Sequence, residues 1–115
     1  MIKKEIKSFA DAINGLVVFL KTERHAKLHF LAVIIVTFAG FYFDINSIEW
    51  CIILLCFGLV IGLELLNTAI EKLCDFIHPE KHASIRIIKD ISAGAVLFAT
   101  ILSIIIACII FIPKF

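Results

Sequence analysis

One segment limits what this chain can become. From Cys51 to Leu63 the sequence runs Cys–Ile–Ile–Leu–Leu–Cys–Phe–Gly–Leu–Val–Ile–Gly–Leu without a charge, then continues as Glu64–Leu–Leu–Asn67–Thr–Ala–Ile–Glu71–Lys–Leu–Cys–Asp75. The apolar part reads as a membrane helix. At about 100° per residue, Glu64, Asn67, Glu71 and Asp75 fall on one stripe roughly 16 Å long. A carboxylate inside a bilayer costs at least about 2.5 kcal/mol. A chain with several in line has a use for them, usually a metal, a proton or a polar substrate.

Composition supports the membrane assignment. The chain has 115 residues, 62% of them hydrophobic, and a mean hydropathy of +1.08, more apolar than an ordinary soluble domain. Residues 1–115 are therefore read as a single membrane domain. The net charge of +1 and the placement of basic residues beside apolar runs argue against a nucleic-acid partner. The N-terminal segment is not a signal peptide, because Lys3, Lys4, Glu5, Lys7 and Asp11 interrupt it and no small-residue cleavage site follows. Cys51, Cys56, Cys74 and Cys108 lie in apolar runs without Cys-x-x-Cys spacing, so no disulfide or metal role is expected.

The predicted fold class is an all-α membrane protein with an N-terminal amphipathic surface helix and three transmembrane helices. In residues 2–22, Ile2, Ile6, Phe9, Ile13, Leu16 and Leu20 recur at helical steps, with Lys3, Lys4, Lys7, Asp11, Asn14 and Lys21 elsewhere on the wheel. That is the pattern of a helix lying in the membrane interface. The spanning helices are expected at 26–43, 48–76 and 86–112, the last ending before Pro113. Tyr42 and Trp50 bracket the polar turn Asp44–Glu49 as interfacial aromatics do. Basic residues precede the first spanning helix (Lys3, Lys4, Lys7, Lys21, Arg24, Lys27) and surround the second connection (Lys72, Lys81, Arg86, Lys89), whereas the first connection has none. The N-terminus and second loop are therefore expected on the cytoplasmic side. Gly58-x-x-x-Gly62 and the row Ala95, Ala99, Ser103, Ala107 suit close helix packing, within one chain or between chains. An oligomer is expected, since polar membrane residues need protein or water around them.

The ionisable groups concentrate near one face. Glu23 precedes the first spanning helix, Glu71 and Asp75 end the second, Lys89 and Asp90 open the third, and Glu64 lies deeper. Carboxylates suit Mg²⁺, which is usually held by one or two of them plus substrate phosphates. With Lys89 to balance phosphate charge, such a site at the depth of a lipid hydroxyl suggests phosphoryl transfer from a soluble donor to a lipid. Glu64 is the candidate to take the hydroxyl proton, a role that burial favours. No P-loop or glycine-rich kinase loop is present. His25 and His29, like His78 and His82, have a spacing that can bind zinc. Interfacial histidines more often hydrogen-bond headgroups or neighbouring side chains, and His82, near Glu80, has the better claim as a nucleotide contact.

These residues carry a family resemblance. Glu64–Leu–Leu–Asn–Thr–Ala–Ile–Glu71 followed by Asp75 resembles the signature of the small bacterial membrane kinases, the diacylglycerol kinase and undecaprenol kinase family. The likeness extends to Ala12-x-x-Gly15–Leu16, Thr22–Glu23–Arg24, Pro79–Glu80-x-His82, and Lys89–Asp90 with Ala93–Gly94–Ala95–Val96. The resemblance implies a homotrimeric helical bundle in the bacterial cytoplasmic membrane. It implies ATP and Mg²⁺ at the cytoplasmic face, and a composite site built from neighbouring chains. By motif position it makes Glu64 the general base, with Glu23 and Glu71 on the metal. Asn67 supports base and substrate, and Asp75 orders the site. Glu80, His82, Lys89 and Asp90 contact the nucleotide, and Lys4 stands for a basic residue that the surface helix contributes. No protein partner is implied beyond copies of the chain.

Two positions depart from the pattern. His25 replaces an asparagine common in the undecaprenol branch, and Lys81 replaces a usual aromatic that could help seat the adenine. The Thr22–Glu23–Arg24 start, the Leu28–His29–Phe30 segment and the Ile112–Pro113–Lys114 tail look more like the undecaprenol kinases of Gram-positive bacteria than the enterobacterial diacylglycerol kinases. Undecaprenol is the expected acceptor, with diacylglycerol as the alternative. A reading of another class is a small oligomeric channel or proton-coupled transporter with Glu64 as its ion site. The lack of ionisable groups in the outer halves of the first and third spanning helices favours a one-sided site instead. A third reading, a non-catalytic membrane partner protein, would tolerate Glu64→Gln and Glu71→Gln.

Overall fold

The computed structural model describes all residues from Met1 to Phe115. Four helices follow one another: α1 (Ile2–Thr22), α2 (Arg24–Tyr42), α3 (Ser47–Ile77) and α4 (Ala83–Phe111), with a short 3₁₀ turn, Ile112–Lys114, at the end. There is no strand. Three segments are long and apolar enough to cross a membrane: Arg24–Tyr42, Ser47–Ile77 and Ala83–Lys114.

The connections explain the helix ends. Glu23 alone separates α1 from α2, with φ −94° and ψ 121°. One extended residue ends the first helix and redirects the chain, and its carboxylate caps neither helix. Between α2 and α3, Asp44 has φ 50°, a left-handed conformation that Asp tolerates better than most residues. Asn46 then starts α3 through a reciprocal capping box. The Glu49 N–H donates to Asn46 Oδ1 at 2.9 Å, and the Asn46 N–H donates to Glu49 Oε1 at 3.1 Å. Helix α4 begins at Ala83, earlier than the 86 expected from apolar periodicity, because the His82 ring nitrogen Nδ1 accepts the Ser84 N–H at 3.1 Å. Histidine is outside the usual set of N-cap residues, so this start carries no sequence signal.

The tightest packing lies at the end of the bundle away from the second connection. Ile45, Ile53, Ile110 and Phe111 form its core, flanked by Val36, Phe43, Trp50 and Phe57. Gly40 is required there. A Cβ built on it would lie 2.5 Å from Trp50 Cη2, inside van der Waals contact. The Lys114–Glu49 ion pair, 3.2 Å, ties the C-terminal turn to the start of α3.

Helix α3 packs most extensively on α4, and α1 and α2 touch it more sparingly. The two small-residue rows behave differently. Ala99 is buried and Ser103 and Ala107 are half-buried, whereas a Cβ on Gly58 or Gly62 would meet nothing within 4 Å. The first row is used inside the chain from Ala99 onward, with Ala95 exposed, and the glycine row is open. Only 13 of 115 residues are buried. The large apolar side chains on the outside, among them Leu54, Leu55, Phe98 and Ile104, need lipid or another protein surface to cover them.

A buried polar turn as the candidate functional site

The chain buries three polar or charged residues, Glu64, Asn67 and Thr68, and all lie within two turns of α3. Helical geometry puts Glu64 and Thr68 one turn apart and adds Glu71 one turn beyond Asn67. Each polar group in this stretch is met by a specific neighbour. Thr68 Oγ1 donates to Glu23 Oε2 at 3.3 Å. His29 Nε2 of α2 lies 3.5 Å from Glu64 Oε2. Asn67 Nδ2 donates to Glu71 Oε1 at 3.2 Å. Helices α2 and α3 and the single residue linking α1 to α2 therefore meet at one level.

The Asn67 side chain is half-satisfied. Its Oδ1 is buried and has no hydrogen-bond partner. A buried carbonyl oxygen left alone costs about 1–3 kcal/mol, so its presence calls for a ligand, a cation or another chain. Glu23 and Glu71, hydrogen-bonded to Thr68 and Asn67 on the same stretch of α3, add carboxylate oxygens beside it. Such a set fits a hard cation such as Mg²⁺ and not zinc. No three His, Cys, Asp or Glu side chains are grouped so that they could hold a metal ion. The protein groups would supply part of a coordination shell, as is usual where phosphate oxygens complete it.

The end of the bundle at the second connection opens into a polar cleft of about 610 Å³. Asp75, Glu80, His82, Lys89 and Asp90 all line it, so four residues expected to contact nucleotide share one concavity with the end of the acidic stripe. Lys89 Nζ is hydrogen-bonded to Asp75 Oδ1, linking α4 to α3. Asp90 pairs with Arg86 across one turn at 3.7 Å. In the loop, His78 Nδ1 lies 2.9 Å from the Glu80 carbonyl oxygen, and the His78 and His82 rings meet edge to face at 5.2 Å. Both histidines thus have structural partners, and His82 also caps α4. Lys4 stands apart, exposed on α1, its carbonyl accepting from Ser8.

A second cavity, apolar and of about 160 Å³, lies among α2, α3 and α4. His29 forms part of its wall, with Val33, Val36, Ile53, Val60 and Ile104. A dry apolar cavity of about this size accepts a benzene-sized group. Sequence reasoning gave no role to Thr68, Arg86 or this face of His29. Thr68 carries a weak signal as the hydroxyl one turn beyond Glu64. His29 carries another, since only it and Thr37 are polar between Lys27 and Tyr42; Thr37 Oγ1 bonds back to the Val33 carbonyl at 2.7 Å, which leaves His29 as the residue with an interhelical partner.

Comparison with known proteins shows the family. A model of the prokaryotic diacylglycerol kinase family matches residues 10–111. The undecaprenol kinase of Bacillus subtilis (strain 168) is 40% identical over 113 residues, covering 98% of this chain and 92% of that protein. A diacylglycerol kinase of Synechocystis sp. (strain ATCC 27184 / PCC 6803 / Kazusa) is 33% identical over 107 residues, covering 92% of this chain and 61% of that protein.

Proposed function

The chain belongs to the prokaryotic diacylglycerol kinase family and is a membrane lipid kinase, and on that premise we propose that it transfers the γ-phosphoryl group of ATP to the hydroxyl of undecaprenol with Mg²⁺ at the site. The near full-length identity to an undecaprenol kinase favours that acceptor over diacylglycerol. The observation that carries the mechanism is the convergence of Glu23, His29, Glu64, Asn67, Thr68 and Glu71 on one buried polar turn.

Glu64 is the general base. The lipid hydroxyl gives its proton to the Glu64 carboxylate while its oxygen bonds to the γ-phosphorus. The bond from phosphorus to the bridging oxygen breaks, and its electron pair leaves with ADP. Catalysis of this kind is positioning plus charge stabilisation. Glu23 and Glu71 would hold the metal, which neutralises phosphate charge when bound. Thr68 steadies Glu23 and Asn67 steadies Glu71, each by donating a hydrogen bond to the carboxylate. Lys89, ordered by Asp75, lies in the cleft with Glu80, His82 and Asp90, where the nucleotide would sit; Lys4 would reach the site only from the surface helix. The apolar cavity beside His29 would take the hydrocarbon next to the hydroxyl, about one isoprene unit.

The same reading places α1 in the interface and the N-terminus and second loop on the cytoplasmic side of the inner membrane, following the basic residues. It makes the assembly a homotrimer, as the family resemblance implies, and the open Gly58–Gly62 face supports close packing against another chain. A transporter is disfavoured, because the apolar core around Ile53 and Phe111 fills the end of the bundle opposite the polar cleft. The test is ATP-dependent phosphorylation by purified protein in micelles, with undecaprenol and diacylglycerol offered separately, with Mg²⁺ and with chelator. Mg²⁺-dependent product from undecaprenol is expected. Product from diacylglycerol alone would move the protein to the other branch, and product from neither would overturn the reading.

A further inference from the structure

Glu64 is 4% exposed and sits in a spanning helix, yet one side chain alone gives it a polar contact: His29, with Nε2 at 3.5 Å from Oε2. No lysine or arginine pairs with it. Lys89, the lysine of the polar cleft, is held by Asp75. A buried carboxylate needs a donor, and the kind of donor decides what the carboxylate can do. A fixed cation stabilises the ionised form and weakens it as a proton acceptor. A neutral imidazole donates one N–H and leaves the acceptor strength largely in place. His29 also belongs to the wall of the apolar cavity, where the long charged side chain of a lysine would be costly to desolvate.

From this geometry we propose that His29 is the positioning residue of the base. Its Nε2–H holds Glu64 Oε2, fixes the rotation of the carboxylate, and leaves Oε1 to accept the proton of a lipid alcohol whose chain lies in the adjoining cavity. The inference rests on the reading of Glu64 as the base. The separation of 3.5 Å is longer than a closed hydrogen bond. Contacts of catalytic groups are often long without substrate and tighten when it binds. His29 touches neither ATP nor metal in this scheme, so its removal acts on kcat and not on KM.

The experiment compares wild type, His29→Leu, His29→Gln and Glu64→Gln in the lipid kinase assay, with KM for ATP and lipid and thermal unfolding measured on each. H29L is expected to lower kcat about 10- to 100-fold with both KM values within about twofold. H29Q, whose amide donates from a similar place, is expected to recover most of the lost kcat. Unchanged kcat in H29L overturns the proposal. So does an equal loss in H29Q, or a loss that tracks falling thermal stability, since each marks a structural tie. A second reading does not depend on H29L folding: the ring ¹⁵N signals of His29 should shift between wild type and the isosteric E64Q, and unshifted signals overturn the contact. Activity retained in E64Q removes the base and its positioning residue together. Absence of lipid phosphorylation in wild type strikes the kinase reading itself, and the proposal falls with it.

Discussion

Thr68 on α3 and Glu23 between α1 and α2 are joined by a hydrogen bond of 3.3 Å across 45 residues of sequence. The bond fastens the one extended residue at the α1–α2 junction to the buried polar turn. Glu23 is free for this because it caps neither helix. The backbone break and the side-chain placement are therefore one device: the residue that redirects the chain delivers its carboxylate to α3.

Replacing Thr68 by Val keeps the shape and removes the donor. Loss of a hydrogen bond to a charged group corresponds to about 1.5–3 kcal/mol, here falling on the placement of Glu23. Thr68→Val is expected to raise the Mg²⁺ concentration for half-maximal activity about tenfold, and Thr68→Ser to restore it. A magnesium titration of initial rate makes the comparison. An unchanged Mg²⁺ requirement would separate Glu23 from the metal.

The Lys89–Asp75 pair links α4 to α3 at the rim of the polar cleft. Asp75 is largely exposed, so the pair contributes little to stability, and its value lies in ordering the ammonium toward phosphate. Lys89→Met is expected to raise the KM for ATP about tenfold or more, with the KM for lipid and the thermal midpoint nearly unchanged. Asp75→Asn should give a smaller effect in the same direction. Steady-state kinetics with each substrate varied in turn would check both.

The acidic stripe was legible because helical periodicity stands out in an apolar background. Glu64, Asn67, Glu71 and Asp75 needed only the 3.6-residue turn and the energetics of charge in a bilayer. Gathering Glu80, His82, Lys89 and Asp90 into one cleft needed only the fact that both segments border the same loop. The pairings across helices were not legible. Glu23 with Thr68 and His29 with Glu64 depend on how α2 is rotated against α3, and nothing local in the sequence sets that angle. Resemblance supplied roles for the carboxylates but none for Thr68 or His29. The start of α4 was missed for a local reason, because a histidine took the place of the usual cap.

Stability and activity should separate at the opposite end of the bundle. A methyl group on Gly40 would lie 2.5 Å from Trp50 Cη2 and 3.2 Å from Ile45 Cδ1, and both neighbours are packed. Overfilling of this kind costs about 1–3 kcal/mol. Gly40→Ala is expected to lower the thermal midpoint while the folded fraction keeps wild-type kcat and KM, measured by thermal unfolding and assay on the same preparation. A fall in kcat without a fall in stability would couple this end of the bundle to the site.

The reverse pattern is expected at Asn67. Its Nδ2 steadies Glu71 at 3.2 Å, but its Oδ1 is buried without a partner. A residue kept for stability alone would not leave that oxygen unpaired, because an apolar side chain of similar size avoids the cost. Asn67→Leu removes both the useful donor and the costly acceptor. Its thermal midpoint should equal or exceed that of wild type, and its lipid kinase activity should fall about 10- to 100-fold, the trade expected where a site holds strain for function. Asn67→Asp keeps the oxygen but sets a second carboxylate one turn from Glu71, and it should regain activity as Mg²⁺ is raised. Thermal unfolding with a magnesium titration on both variants distinguishes the alternatives. A large loss of stability in Asn67→Leu would show that the oxygen is satisfied by a neighbouring chain and that Asn67 serves assembly instead of the metal.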